Sequence, residues 1–275
     1  MATRILLTGS TGFVGRQVLK SLQEKNVEIV LVNRASSDKK ILNKVKISKV
    51  IYTDDIFSET TEWWSNTLRD IDLIIHLAWY LEPGEYLYSD NNFRCYEGSY
   101  NLAKGAVNSS VRRIISIGTC FEYKMSMSPL VPSSILSPET PYAKAKVNLF
   151  KTLSKFLPSR NIEFAWCRLF YLYGEFEDQR RFVPYLRSQL EKGLKAELSS
   201  GKQIRDFMDV RLAGRSIVDI ALSDTVGAVN ICSEKPISVR EFAEQIADEY
   251  GRRDLLDFGA KPENRFEPPY IVGKR

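Results

Sequence analysis

Eight residues near the start of the chain, Thr8 to Gly15 (TGSTGFVG), restrict its fold more than any other stretch. They stand directly behind the apolar run Ile5-Leu6-Leu7, which reads as a strand. Gly9, Gly12 and Gly15 let the backbone turn tightly out of that strand, leave bare amides open to an anion and let a following helix pack close. Val14, Val18 and Leu22 then recur at helical spacing with Leu19 beside them, and Lys20 and Lys25 suit a helix C-terminus. A glycine triplet alone also serves ordinary tight turns. Strand, glycine turn and helix N-terminus in this order point to the pyrophosphate of a dinucleotide, with Thr11, Phe13 and Val14 completing the contact.

Residues 27–32 read as the second strand, which ends in Asn33-Arg34-Ala35-Ser36. An acid near this place would take the ribose 2′-hydroxyl of NAD, whereas an arginine accepts the 2′-phosphate of NADP. Residues 33–37, between the strand and Asp38, include no Asp or Glu, so Asn33, Arg34 and Ser36 favour NADP (NADPH) over NAD. Strands follow at 50–52, 71–77, 113–117 and 163–167, with helices at 95–107 and 141–156. Thr140 is the expected cap of the second of these helices and Pro141 its first-turn residue. Asp55, Ile56, Leu77 and Ala78, at the carboxyl ends of the third and fourth strands, are expected at the cofactor. The alternation predicts an α/β fold, a Rossmann-like doubly wound parallel sheet over 1–168. The looser pattern of 169–275, with helices near 183–192 and 239–250, predicts a smaller substrate-binding domain.

Composition removes several classes of function. The formal charge of +5 comes from Lys and Arg scattered over both halves without a basic block, which argues against nucleic acid as a partner. Cys95, Cys120, Cys167 and Cys232 lie far apart without CxxC spacing, as reduced thiols of a cytoplasmic protein would. The single histidine, His76, is embedded in Ile74-Ile75-His76-Leu77 and reads as a packed residue, so no metal site is expected and a Ser/His/Asp triad is disfavoured. The apolar run at 73–81 is too short to span a bilayer, so no membrane partner is expected.

The reaction chemistry has to come from elsewhere. A Tyr-x-x-x-Lys spacing places phenol and ammonium on one helical face, and the cation favours the phenolate. Bringing a phenol from a pKa of about 10 to neutrality takes roughly 4 kcal/mol. The spacing occurs at Tyr100 to Lys104 and again at Tyr142 to Lys146, so it does not identify a site alone. Tyr142 is the better candidate because Thr119, at the end of a strand, offers a hydroxyl to the same substrate oxygen. Tyr100 reads as a packing residue. Trp79, Tyr80, Tyr86 and Tyr88 lie in a loop that faces the ligand crevice, where their rings would wall a sugar pocket or simply pack.

With these motifs the chain resembles the extended short-chain dehydrogenase/reductase family of nucleotide-sugar epimerases, dehydratases and reductases. The resemblance runs through TGSTGFVG, IIHLAW at 74–79, EGSYNL at 97–102, IGTCFEY at 117–123, PYAKAK at 141–146, RLFYLYG at 168–174 and RDF at 205–207. It implies that Thr119 polarises the substrate oxygen, that Tyr142 is the acid/base, and that Lys146 lowers its pKa and holds the nicotinamide ribose. Arg205, its side chain steadied by Asp206-Phe207, is implied at the sugar-nucleotide diphosphate, with Arg180 or Arg181 as the other candidate. Trp79, Cys120, Phe121 and Tyr171 would contact the substrate. The dehydratases of the family carry an Asp-Glu pair after the catalytic Thr, where this chain has Cys120-Phe121, which argues against elimination. Asn is usual in the family at the positions of Cys95 and Tyr171. The GTCFEY stretch and the polar loop before Tyr142 look most like 4-ketoreductases of deoxysugar and surface polysaccharide biosynthesis. The expectation is therefore NADPH-dependent reduction of the C4 ketone of an NDP-4-keto-6-deoxyhexose, by a homodimer joined through the helices near 95–107 and 141–156. An NAD-dependent 4-epimerase and a non-catalytic NAD(P)-binding regulator are the alternatives.

Overall fold

A computed structural model describes residues 2–36, 46–263 and 267–275. The chain runs through β1 (Thr3–Thr8), α1 (Phe13–Leu22), β2 (Val27–Arg34), β3 (Lys49–Thr53), α2 (Thr61–Thr67), β4 (Leu73–His76), α3 (Asn91–Val107), β5 (Arg113–Thr119), α4 (Pro141–Phe156) and β6 (Glu163–Leu169). It continues with β7 (Tyr171–Tyr173), α5 (Phe182–Glu191), β8 (Ala196–Leu198), β9 (Ile204–Asp209), α6 (Val210–Ala221), β10 (Gly227–Ile231), β11 (Pro236–Ser238), α7 (Val239–Asp248), β12 (Leu256–Phe258) and β13 (Tyr270–Ile271). Seven strands form one parallel sheet in the order β10-β6-β5-β4-β1-β2-β3.

The apolar runs are continuous because both faces of this sheet are covered. Ile5, Leu7, Leu31, Ile75 and Ile115 point to one face, where Val18, Leu19 and Leu22 of α1 meet Ala213, Ile217 and Val218 of α6. Leu6, Val30, Ile74, Ile114 and Trp166 point to the other, beneath Trp64 of α2, Leu102 of α3 and Leu149 of α4. From β1 the chain runs outward through β2 to β3 and then crosses to β4 on the other side of β1, so the crevice for a ligand opens at the carboxyl ends of β1 and β4. Thr140 caps α4 as expected, accepting the Ala143 N–H at 3.2 Å with Pro141 in the first turn.

The boundary expected at Arg168 is not the one the strands follow. Residues after it build a small sheet from β7, β9, β11 and β13, and a third apolar core between α5 and α7, but α6 and β10 then return to the large sheet. β10 pairs with β6 from Gly227↔Ala165 to Ile231↔Leu169. The physical reason is burial: α6 carries Val210, Ala213, Ile217, Val218 and Ala221 on one face, and the face of the sheet beside α1 is what covers them.

Candidate active site

The glycine turn is a cradle that side chains would fill. Gly9 has φ +72°, and a Cβ there would come within 2.8 Å of the Ala78 nitrogen, while one on Gly15 would overlap the Gly9 carbonyl oxygen. Gly12 donates its N–H to Gly9 O at 3.1 Å and caps α1 without a side chain, and the first turn of α1 holds no acid. These amides fit the pyrophosphate of a dinucleotide. Arg16 ties the turn by donating to Thr11 O at 2.9 Å, and Phe13 and Val14 pack toward the core. Asn33 is buried; its Oδ1 accepts from Ser10 Oγ at 2.7 Å, while Nδ2 has no partner among the described residues. Arg34 and Ser36 stand exposed beyond it, and Asp38 lies outside the described residues. Ile56 is buried in the core, and the Asp55 carboxylate is occupied by Phe57 N, Ser58 Oγ and Arg94 at 3.0, 2.8 and 2.6 Å.

A chain of hydrogen bonds fixes the loop after β4. The Ser99 hydroxyl donates to Cys95 O at 2.7 Å, so at its 2.8 Å contact it accepts from His76 Nε2–H. His76 Nδ1 is then the acceptor for the Thr8 hydroxyl at 2.8 Å, and Thr8 Oγ1 in turn takes the Ala78 N–H at 3.2 Å. The packed role expected of His76 thus has a definite form, a neutral ring joining β1, β4 and α3. Leu77 N–H donates to Thr8 O at 3.3 Å, and Tyr80 N–H to Cys95 Sγ at 3.3 Å. The thiol at Cys95 therefore anchors this loop to α3.

Thr119 ends β5, Tyr142 lies in the first turn of α4, and Lys146 follows one turn later. All three are buried. The Tyr142 ring stands edge-on to Tyr86 at 5.0 Å and to Trp79 at 6.4 Å between centroids. Burial raises the phenol well above the ordinary tyrosine range; Tyr86 and Glu122 add to the rise and the Thr119 side chain opposes it. This is the reverse of the lowering expected from Lys146. The ammonium is turned away, donating to Ile117 O at 2.7 Å, with the Trp79 centroid at 3.6 Å and that of Tyr142 at 5.9 Å. Burial lowers Lys146 to about 7. The competing spacing is a packing pair, for Tyr100 lies against Phe156 and Lys104 lies over the Tyr100 ring.

Cys120, Phe121, Tyr171 and Arg205 lie together. Burial pushes the Cys120 thiol to about 12, which keeps it neutral, and Phe121 and Tyr171 meet edge-on at 6.3 Å. Arg205 is buried, 5.2 Å from the Tyr171 centroid, and donates to Ile204 O at 2.8 Å and Glu267 Oε1 at 2.7 Å. Its Nε has no partner among the described residues. The expected support from Asp206 is absent because neighbouring strand residues face opposite ways. Asp206 instead accepts the N–H groups of Ser233, Glu234 and Gly273 at 2.7, 3.0 and 3.2 Å. Arg180 does not join Arg205; it is exposed and holds Asp178 and Glu82, linking two loops. Tyr86, one of the rings expected at the crevice, stands against Tyr142, whereas Glu122 and Glu267 carried no sequence signal beyond being acidic.

Comparison with known proteins bears on the whole of this arrangement. The model of the NAD dependent epimerase/dehydratase family matches residues 5–232. The dTDP-6-deoxy-L-talose 4-dehydrogenase (NAD(+)) of Aggregatibacter actinomycetemcomitans is 23% identical over 276 residues, which span 98% of this chain and 99% of that protein. Among solved structures, UDP-N-acetylglucosamine 4-epimerase from Methanobrevibacter ruminantium M1, in complex with UDP-N-acetylmuramic acid, has a TM-score of 0.86 at 21% identity and covers 99% of this chain and 89% of its own. The dTDP-glucose 4,6-dehydratase from Streptomyces venezuelae with NAD bound gives 0.83 at 19% identity, with 99% and 88% covered. At such identities these two structures speak for the fold alone. The family match reaches from β1 to the residue after β10, across every strand of the large sheet, and on that ground the chain belongs to the NAD-dependent epimerase/dehydratase family.

Proposed function

We propose that this protein is a nucleotide-sugar oxidoreductase that reduces the C4 ketone of an NDP-4-keto-6-deoxyhexose, with Tyr142 as the proton donor. The observation that carries the reading is a buried phenol held protonated beside the Thr119 hydroxyl at the carboxyl end of the sheet. A protonated phenol is suited to give a proton to a carbonyl oxygen as it becomes an alcohol. Phe121 N–H donates to Thr119 Oγ1 at 3.3 Å, a contact that does not use the hydroxyl hydrogen, which Thr119 directs toward Tyr142 and can turn to the same substrate oxygen. When bound, a nicotinamide cofactor supplies the hydride. Trp79 and Tyr86 flank the phenol as walls for the sugar ring, and the unpartnered Nε of Arg205 suits an oxygen of the diphosphate. Cys120, neutral, and Phe121, apolar, provide no acid and base for elimination.

For the cofactor we assign NADPH, with Arg34 and Ser36 at its 2′-phosphate. Arg34 is the last residue of β2 and Ser36 follows it, both exposed, and residues 33–36 include no carboxylate. A homodimer contact is assigned to α3 and α4, where Phe93 is 62% exposed and stacks on Tyr96. A second reading, an NAD-dependent 4-epimerase, draws on the fold likeness to the Methanobrevibacter enzyme. The experiment is to incubate purified protein with NDP-4-keto-6-deoxyhexoses of different bases and follow the loss of reduced cofactor. Turnover that consumes NADPH upholds the reductase. A stoichiometric NAD that does not exchange, with redox-neutral interconversion of two NDP-hexoses, would sink it.

A further inference from the structure

Behind Thr119 lies a buried acid that the proposed reaction does not use directly. The Glu122 carboxylate is wholly enclosed. Its Oε1 accepts the Thr119 backbone N–H at 2.8 Å and the Trp166 indole at 3.0 Å, and its Oε2 accepts Arg168 Nε at 2.6 Å. Arg168, equally buried, continues to the Tyr123 hydroxyl at 2.9 Å, and Tyr123 donates to Asn230 at 2.6 Å. Space for the carboxylate depends on Gly118, where a Cβ would overlap both Glu122 Oε1 and Trp166 Nε1.

Burying an ion pair is a poor route to stability, since apolar residues of similar volume often serve as well or better. Its placement suggests another use. Glu122 takes the Thr119 N–H while Lys146 donates to Ile117 O, so three consecutive residues at the end of β5 are gripped from the acid on one side and from α4 on the other. The turn that follows adds the Phe121 N–H on Thr119 Oγ1. A shift of this strand end would move the Thr119 hydroxyl and the carbonyl that holds Lys146 together.

We propose that Glu122 is a positioning residue: by accepting the Thr119 backbone N–H it sets the end of β5 so that Thr119 and Lys146 meet Tyr142 in the geometry that turnover requires. The proposal rests on the reading that Thr119, Tyr142 and Lys146 carry the reaction. Two double variants isolate the acceptor without stranding the Arg168 cation. Glu122→Gln with Arg168→Met keeps an oxygen for the Thr119 N–H; Glu122→Met with Arg168→Met removes it. Counted per mole of bound cofactor, the first should show a kcat at least tenfold above the second, with cofactor Kd the same in both. Equal kcat in the two variants, whatever their melting temperatures, overturns the proposal. If neither folds, amide exchange in the parent protein decides: slow exchange at Thr119, matching the central strands, upholds the grip, and exchange as fast as in exposed loops overturns it. Tyr142→Phe is run alongside. Full turnover there defeats the functional reading itself, while lost turnover there with equal Glu122 variants defeats only the positioning role.

Discussion

The Lys146 ammonium lies 3.6 Å from the centroid of the Trp79 ring in a wall that leaves the residue 4% exposed. Burial lowers its pKa from the ordinary 10.5 to about 7. Below pH 7 native and unfolded chains both carry this proton, and the cost of burying it is at its full size. From there to pH 10.5 the unfolded chain binds more protons than the native one, so stability rises with pH. Lys146→Met should therefore melt above the parent near neutrality, by on the order of a few kcal/mol, and the gap should close toward the ordinary lysine pKa. Thermal melts at both ends of this window check it; a gap that ignores pH would mean that the ammonium is better solvated than its burial implies.

His76 is the single histidine, so its ring signals are unambiguous in a proton spectrum. Burial, with help from Lys146, lowers its pKa from 6.5 to about 3. Its ring resonances should stay fixed between about pH 5 and 8. The sign for stability follows: as pH falls from 6.5 toward 3, the unfolded ring takes a proton that the native ring refuses, and stability is lost. A titration midpoint near the free value would break the Thr8–His76–Ser99 chain.

Tyr142→Phe removes one hydroxyl and leaves the ring against Tyr86 and Trp79. Turnover should fall by about 100- to 10,000-fold, the usual range for loss of a general acid. Cofactor affinity, followed by fluorescence titration, should hardly change. Retained activity would point to Tyr86, the nearest other phenol, as the donor.

Arg34→Ala tests the cofactor assignment. Loss of a charge-assisted bond to a 2′-phosphate should weaken NADPH by about 1.5–3 kcal/mol and leave NADH nearly untouched. Equal losses for both cofactors would show that Arg34 does not read the phosphate.

What could be read in advance follows from the range of the interactions. β1 to β6 announce themselves as short apolar runs between turn signals, and α4 by Thr140 and Pro141 at its start. α6 was not among the expected helices, and although Val210, Ala213, Ile217 and Val218 stand at helical spacing, nothing local says that the distant α1 and its face of the sheet cover them. Glu122 gains meaning only when β5 and β6 pair and Gly118 comes to stand opposite Arg168. Arg205 and Glu267 are joined across the small sheet in the same way. A four-residue spacing carries the attraction of a cation but not the loss of solvent, and for the chain by itself burial is the larger influence on Tyr142.

The return of α6 and β10 to the large sheet bears on how such a chain is made. A ribosome delivers β6 long before β10, so the nascent sheet waits with an open edge while β7 to α6 are synthesised. The inner surface of α1 waits with it, uncovered until Ile217 and Val218 arrive. The small lobe is thus built from two stretches of chain, β7 to β9 before β10 and β11 to β13 after it, and its own sheet closes only when the large one has.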